Sequence, residues 1–176
     1  MNEPRWLNDQ EQLVWRSYLA ATRLLGQALE RELQRGADLP LGYYEILVRL
    51  SEAPGRSLRM SDLADVSESS RSRLSHAVSR LEERGWVRRR SCETDRRGAF
   101  AELTDAGFAA LEAAAPTHLE SVRAHLFDQL DETQVEQLGA ICDRIVDGLR
   151  TACLVEGHEL PAVVVPSSVP VTLAAP

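Results

Sequence analysis

The chain has no lysine; all 20 of its basic residues are arginine. Each positive charge is therefore a planar fork of N–H donors, matched to phosphate and to guanine edges. Aromatic residues make up only 5% of the sequence, too few for the stacking platforms that single-strand binders use. Cys92, Cys142 and Cys153 form no CxxC pair, and the odd count argues against a secreted disulfide framework. No apolar run reaches the roughly 18 residues of a membrane span. The charged start, Met1-Asn2-Glu3-Pro4-Arg5, leads into no signal-peptide core. A cytoplasmic protein without a membrane partner is expected. There is also no glycine-rich phosphate loop, GxSxG elbow or HExxH motif. His118 and His125 are seven apart with no acid or cysteine cluster at ligand spacing, so neither an enzyme activity nor a cofactor or metal is expected.

What is present is charge segregated by position. The 176 residues carry a net −7, with 44% hydrophobic content, enough for one core plus an association surface. Residues 70–97 hold nine arginines against four acids, whereas residues 102–176 hold three arginines against twelve acids. A cationic element on an acidic chain points that element at a polyanion, most simply nucleic acid.

Helical spacing of Val14, Tyr18, Ala21, Leu25 and Leu29 predicts a first helix over roughly 9–35, stopped by Gly36. A short second helix carries Tyr44, Leu47, Val48 and Leu50 and closes at Pro54-Gly55. Ser57–Arg59 reads as a brief strand, and Ser61 as the cap of a third helix with Leu63, Ala64 and Val66. After the serine cluster 67–70, a fourth helix runs to about Arg84. Leu74, Ala77, Val78 and Leu81 face inward and Ser72, His76, Ser79 and Glu83 outward. Gly85 suits a left-handed helix end. Trp86–Ser91 and Ala99–Leu103 form a hairpin. Thr104-Asp105 opens a fifth helix striped by Phe108, Leu111, Ala115, Leu119, Val122, Leu126 and Leu130, which Pro116 should kink or split. Asp131 and Gln134 form a capping pair for a sixth helix with Val135, Leu138, Cys142, Ile145 and Leu149 inward. Beyond 155 the Pro- and Val-rich chain has no period.

Helix, turn, helix and hairpin is the order of a winged helix-turn-helix, so the expected fold is mainly α with a small β-hairpin wing. In such a unit the second helix must present small polar or basic residues to a groove, its N-terminal turn closest to phosphate. Ser70, Arg71, Ser72 and Arg73 meet that need, and Ser75 and His76 lie within reach of base edges. At the hairpin tip, Arg96 and Arg97 are slim enough for a minor groove, with Asp95 bracing them. Arg88, Arg89 and Arg90 line the stem, where phosphates would pass.

Three stretches resemble the multiple-antibiotic-resistance regulator (MarR) family, especially its actinobacterial-type members. They are Leu-Arg-Met-Ser-Asp-Leu-Ala (58–64), Ser-Arg-Ser-Arg-Leu-Ser-His-Ala-Val-Ser-Arg-Leu-Glu (70–82), and Asp-Arg-Arg-Gly through Leu-Thr-Asp-Ala-Gly (95–107). The resemblance implies a homodimer gripping a palindromic double-stranded operator. It also implies release by a small aromatic or anionic ligand, or by cysteine oxidation. It puts Ser70–His76 in the major groove and Arg97 in the minor groove, with Asp95 as support. The division expected is a dimerisation helix (1–36), a winged head (37–104), further dimerisation helices (105–154) and a tail (155–176).

Milder readings stand beside these. The basic face of a winged helix can meet an acidic protein rather than DNA, or coat DNA without regard to sequence. Trp15, Tyr18, Tyr43 and Tyr44 can line a ligand pocket or simply fill the core. Cys142, on an apolar stripe, reads as packing.

Overall fold

Six helices and three short strands make up the computed structural model, which describes residues 4–67, 70–91 and 99–155. The first helix, α1 (Asp9–Ala37), starts at a reciprocal cap. The Asn8 side chain accepts from the Glu11 amide at 2.8 Å, and Glu11 accepts from the Asn8 amide at 2.8 Å. It does not stop at Gly36 as expected. Asp38 ends it, with a left-handed backbone at φ 49°. Gly36 serves packing instead: a methyl there would lie 2.6 Å from Thr117 Cγ2, so glycine lets α1 approach the fifth helix, α5 (Asp105–His125).

Next comes α2 (Leu41–Glu52), whose first amide donates to Glu30 of α1 at 2.8 Å. A tight turn through Gly55 (φ 64°) leads into β1 (Ser57–Arg59) and α3 (Met60–Val66). Here Ser61 is not the cap. The helix begins straight out of the strand with Arg59 at the cap position and no side-chain cap, and the Ser61 hydroxyl bonds Asp62 at 2.9 Å.

Then follow α4 (Arg71–Glu83), β2 (Val87–Ser91) and β3 (Ala99–Leu103). The sheet is antiparallel in the order β1-β3-β2, with Leu58, Ala101 and Arg89 in one row across it and Arg59, Phe100 and Arg90 in the next. Trp86 stays outside the strand, in the turn that closes α4. With Gly85 at φ 73°, the Trp86 amide donates back to the Leu81 carbonyl (3.0 Å) and the Gly85 amide to Glu82 (2.9 Å). This pair of bonds is a Schellman closure.

Thr104 caps α5, accepting from the Gly107 amide at 3.0 Å while its hydroxyl donates to the Gly85 carbonyl at 2.7 Å. Any side chain at Gly107 would overlap the Trp86 carbonyl oxygen. The Leu-Thr-Asp-Ala-Gly stretch is therefore a joint between the end of α4 and the start of α5. Of the two outcomes expected at Pro116, the split does not occur: α5 is one helix through that residue, and it ends at His125 rather than near Leu130. The last helix, α6 (Glu132–Val155), has the Asp131–Gln134 cap as expected, at 2.8 and 3.0 Å.

One core joins α1, α2, α3, α4, the sheet and α5. Leu33, Leu39, Leu47, Leu50, Leu63, Leu74, Val78 and Leu81 are all fully buried there, each contributing about 1.5–3 kcal/mol by leaving water. The rest of the molecule is different. Every residue from 4 to 24 is exposed, and no residue from 132 to 151 is buried. No helix among the described residues is long and apolar enough to cross a membrane.

Candidate nucleic-acid interface

Leu74, Val78 and Leu81 anchor α4 on the core, which fixes what the opposite side presents. Ser70 is the cap, its hydroxyl oxygen accepting from the Arg73 amide at 3.3 Å. Arg71, Ser72, Arg73, Ser75 and His76 are all exposed. No acid lies between Ser70 and Leu81. The helix dipole adds partial positive charge at the same end. In the last turns the balance reverses, with Arg80 bound to Glu83 at 2.8 Å and Glu82 beside it. The helix is therefore polarised, with its anion-seeking half at the N-terminus.

The three stem arginines were expected to meet passing phosphates, and two are committed within the protein. Strand alternation explains the split. Val87 points into the core, so Arg89, two residues on, points to the same side, against α4. Its guanidinium donates to the Ser75 carbonyl (2.6 Å), the Ser75 hydroxyl (3.2 Å) and the Ser79 hydroxyl (3.1 Å), and pairs with Glu82 at 3.3 Å. The Arg89 amide donates to the same Glu82 carboxylate at 2.9 Å. Ser79, expected to face outward freely, is thus engaged with the wing. On the other face Arg88 pairs with Glu102 at 2.6 Å. That contact holds the Glu102 carboxyl below its ordinary range and raises the Arg88 guanidinium. Arg90 and Arg59 flank the Phe100 ring at 5.9 and 5.2 Å. The sequence signal for Arg89 was there to read, since period-two alternation from Val87 selects it among the three.

Asp95, Arg96 and Arg97 lie outside the described residues, as does Cys92. A cleft of about 520 Å³ opens between α2 and α4, bordered by Tyr43, Glu45, Arg73 and His76. The four aromatics proposed as pocket formers do not converge. Trp15 and Tyr18 stack on each other at 6.1 Å on the exposed part of α1, and Tyr43 borders the cleft beside α4. Tyr44 is buried against the His118 ring at 4.6 Å. Burial lowers the His118 pKa and raises that of Tyr44. Cys142 is exposed on α6 rather than packed within the chain.

Comparison with known proteins places this arrangement. Residues 37–98 match a model described as the MarR family. Among solved structures, the chain is 49% identical to Sco3205, a MarR family transcriptional regulator from Streptomyces coelicolor, solved in complex with DNA. That match covers 92% of this chain and 98% of that one, with a TM-score of 0.80. AbsC, another MarR family regulator from Streptomyces coelicolor, is 45% identical over 84% of this chain and 99% of its own, with a TM-score of 0.75. The HTH-type transcriptional repressor YetL of Bacillus subtilis (strain 168) is 30% identical over 113 residues, 62% of this chain and 68% of that protein.

Proposed function

The chain belongs to the MarR family of transcriptional regulators, and from that premise we propose a homodimeric, sequence-specific repressor that binds double-stranded DNA and is released by a small aromatic or anionic effector. The observation carrying this reading is the N-terminal half of α4, exposed, basic and free of acids on a buried apolar anchor. In this reading Ser70, Arg71, Ser72, Arg73, Ser75 and His76 enter the major groove. Arg96 and Arg97, braced by Asp95, reach the neighbouring minor groove.

Residues 37–104 form the reading head, residues 1–36 and 105–154 the dimerisation stem, and residues 155–176 a tail outside both. Support for the stem comes from apolar side chains that stand exposed among the described residues. Leu13 and Val14 on α1, and Ile141, Ile145 and Leu149 on α6, are all about half exposed or more. Such faces are stable in water when a second copy covers them. Two heads related by a two-fold axis suit a palindromic operator with half-sites one helical turn apart. The acidic C-terminal half turns the stem away from DNA. A dimer seated over a promoter excludes polymerase, and the likeness to the repressor YetL favours that outcome.

The test is a gel shift of a labelled duplex from the promoter of the protein's own gene, with excess unrelated DNA as competitor. Binding that survives the competitor and falls steeply with salt is expected. Arg97→Ala should weaken it about tenfold or more while sedimentation still reports a dimer. Equal retention by the competitor would reduce the protein to a general DNA coat. No binding to any duplex would turn the basic face toward an acidic protein partner.

A further inference from the structure

Arg89 and Glu82 join the wing to the helix that the functional reading sends into the major groove. Ser75, Ser79 and Glu82 fall at spacings of four and three, one stripe of α4 that faces β2. The Arg89 guanidinium spans that whole stripe, from the Ser75 carbonyl to the Glu82 carboxylate. Glu82 also takes the outward amide of Arg89, a donor that an edge strand would otherwise leave to solvent. Both ends of the contact are held twice, which removes the swivel that a single ion pair would leave.

The chemistry at Ser75 matters most. A free serine hydroxyl can donate or accept. Here its oxygen already accepts from Arg89 at 3.2 Å, and the neighbouring Ser79 hydroxyl donates to the Ser75 carbonyl at 3.0 Å. That bond occupies one lone pair of the Ser75 hydroxyl and leaves its hydrogen available to an acceptor outside the wing. A hydroxyl already engaged as an acceptor is biased toward donating, which favours acceptors in the groove, guanine O6 and N7 or thymine O4, over the amino groups of adenine and cytosine.

We propose that Arg89 and Glu82 are positioning residues for operator discrimination. They set the angle between wing and recognition helix and orient Ser75 as a hydrogen-bond donor, without Arg89 itself touching DNA. The inference rests on the reading of α4 as the DNA-reading helix, and it opposes the simpler electrostatic expectation. If Arg89 were a phosphate contact, losing it would weaken all DNA binding alike and flatten the salt dependence by about 0.9 in log–log slope. If Glu82 were merely an acid near DNA, removing its charge would strengthen binding.

The experiment measures affinity for the selected operator and for a scrambled duplex across a salt series, with wild type, Glu82→Gln, Arg89→Gln, the double variant of these two, and Arg89→Lys. Melting and sedimentation of each variant establish that fold and assembly are kept. The positioning role predicts that Glu82→Gln and Arg89→Gln each lose about tenfold in the operator-to-scrambled ratio with the salt slope unchanged. The double variant should be no worse than either single. Arg89→Lys keeps the charge without the fork and should not restore discrimination. Amide exchange at Arg89 should accelerate in Glu82→Gln, a readout that needs no DNA. Tighter operator binding by Glu82→Gln, a reduced slope in Arg89→Gln or full rescue by Arg89→Lys would each overturn the role of these two residues alone. A wild-type protein that does not distinguish operator from scrambled duplex would overturn the functional reading together with it.

Discussion

In the winged unit Leu47, Leu63, Val78 and Leu81 are completely buried, whereas on α6 Ile141, Ile145 and Leu149 stand in water at 46–57% exposure. The two regions have similar apolar side chains and opposite surroundings. The head closes its core within one chain, since α2, α3, α4, the sheet and α5 cover one another. Among the described residues, the first half of α1 and residues 132–151 of α6 carry apolar stripes that stand open. The winged unit therefore carries its stability locally, and in the proposed dimer the open stripes of α1 and α6 would be stabilised by association.

That contrast can be broken at several points. The largest effect is expected from Ile145→Asp combined with Leu149→Asp, two charges on the open α6 stripe. Sedimentation equilibrium should then report monomer and operator binding should disappear, while far-UV circular dichroism and cooperative urea unfolding show that the head stays folded. Leu47→Ala strikes the other region and should lower unfolding free energy by about 2–5 kcal/mol. Urea titration of the double variant above, already monomeric, is the cleanest setting for that measurement. Thr104→Ala removes the α5 cap and the bond to Gly85, and should cost about 1 kcal/mol on the same titration.

The smallest effect concerns pH. Burial against Tyr44 lowers the His118 pKa below its ordinary 6.5, so the unfolded chain binds the proton more readily than the folded one. Stability from this group is complete above that value and declines as pH falls below it toward the folded pKa. His118→Phe should remove the part of the acid-side loss that falls in this window. Melting temperatures that track the wild type throughout would show that the imidazole carries none of the loss.

Local devices were legible in the sequence because a few neighbouring residues determine them. Gly85 after Arg84, Thr104 before Asp105, and the Asp131–Gln134 pair each act within one turn of helix. The misreadings turn on packing and on the geometry of neighbouring elements. Gly36 looks like a stop, and only the approach of Thr117 from α5 reveals a packing notch. Ser61 has the chemistry of a cap, yet α3 takes its start from the geometry of β1. Pro116 costs a helix one hydrogen bond, but Ala114 and Ala115 beside it are buried, and that packing keeps α5 in one piece. Treating Arg88, Arg89 and Arg90 as one block of charge hid the alternation that sends Arg89 to α4 and pairs Arg88 with Glu102. In the candidate site, the residue types and the polarity of α4 could be read directly; alternation from Val87 could have singled out Arg89, but not its partners Ser75, Ser79 and Glu82.

The joint at Gly85, Trp86 and Thr104 has a mechanical meaning. Because the Thr104 hydroxyl donates to the carbonyls of Gly85 and Trp86, the two residues whose amides close α4, and Gly107 leaves no gap against Trp86, the two helices are joined like arms at an elbow. α5 extends about 30 Å from that elbow, so in the proposed regulator a tilt applied at its far end would pass through this joint to α4.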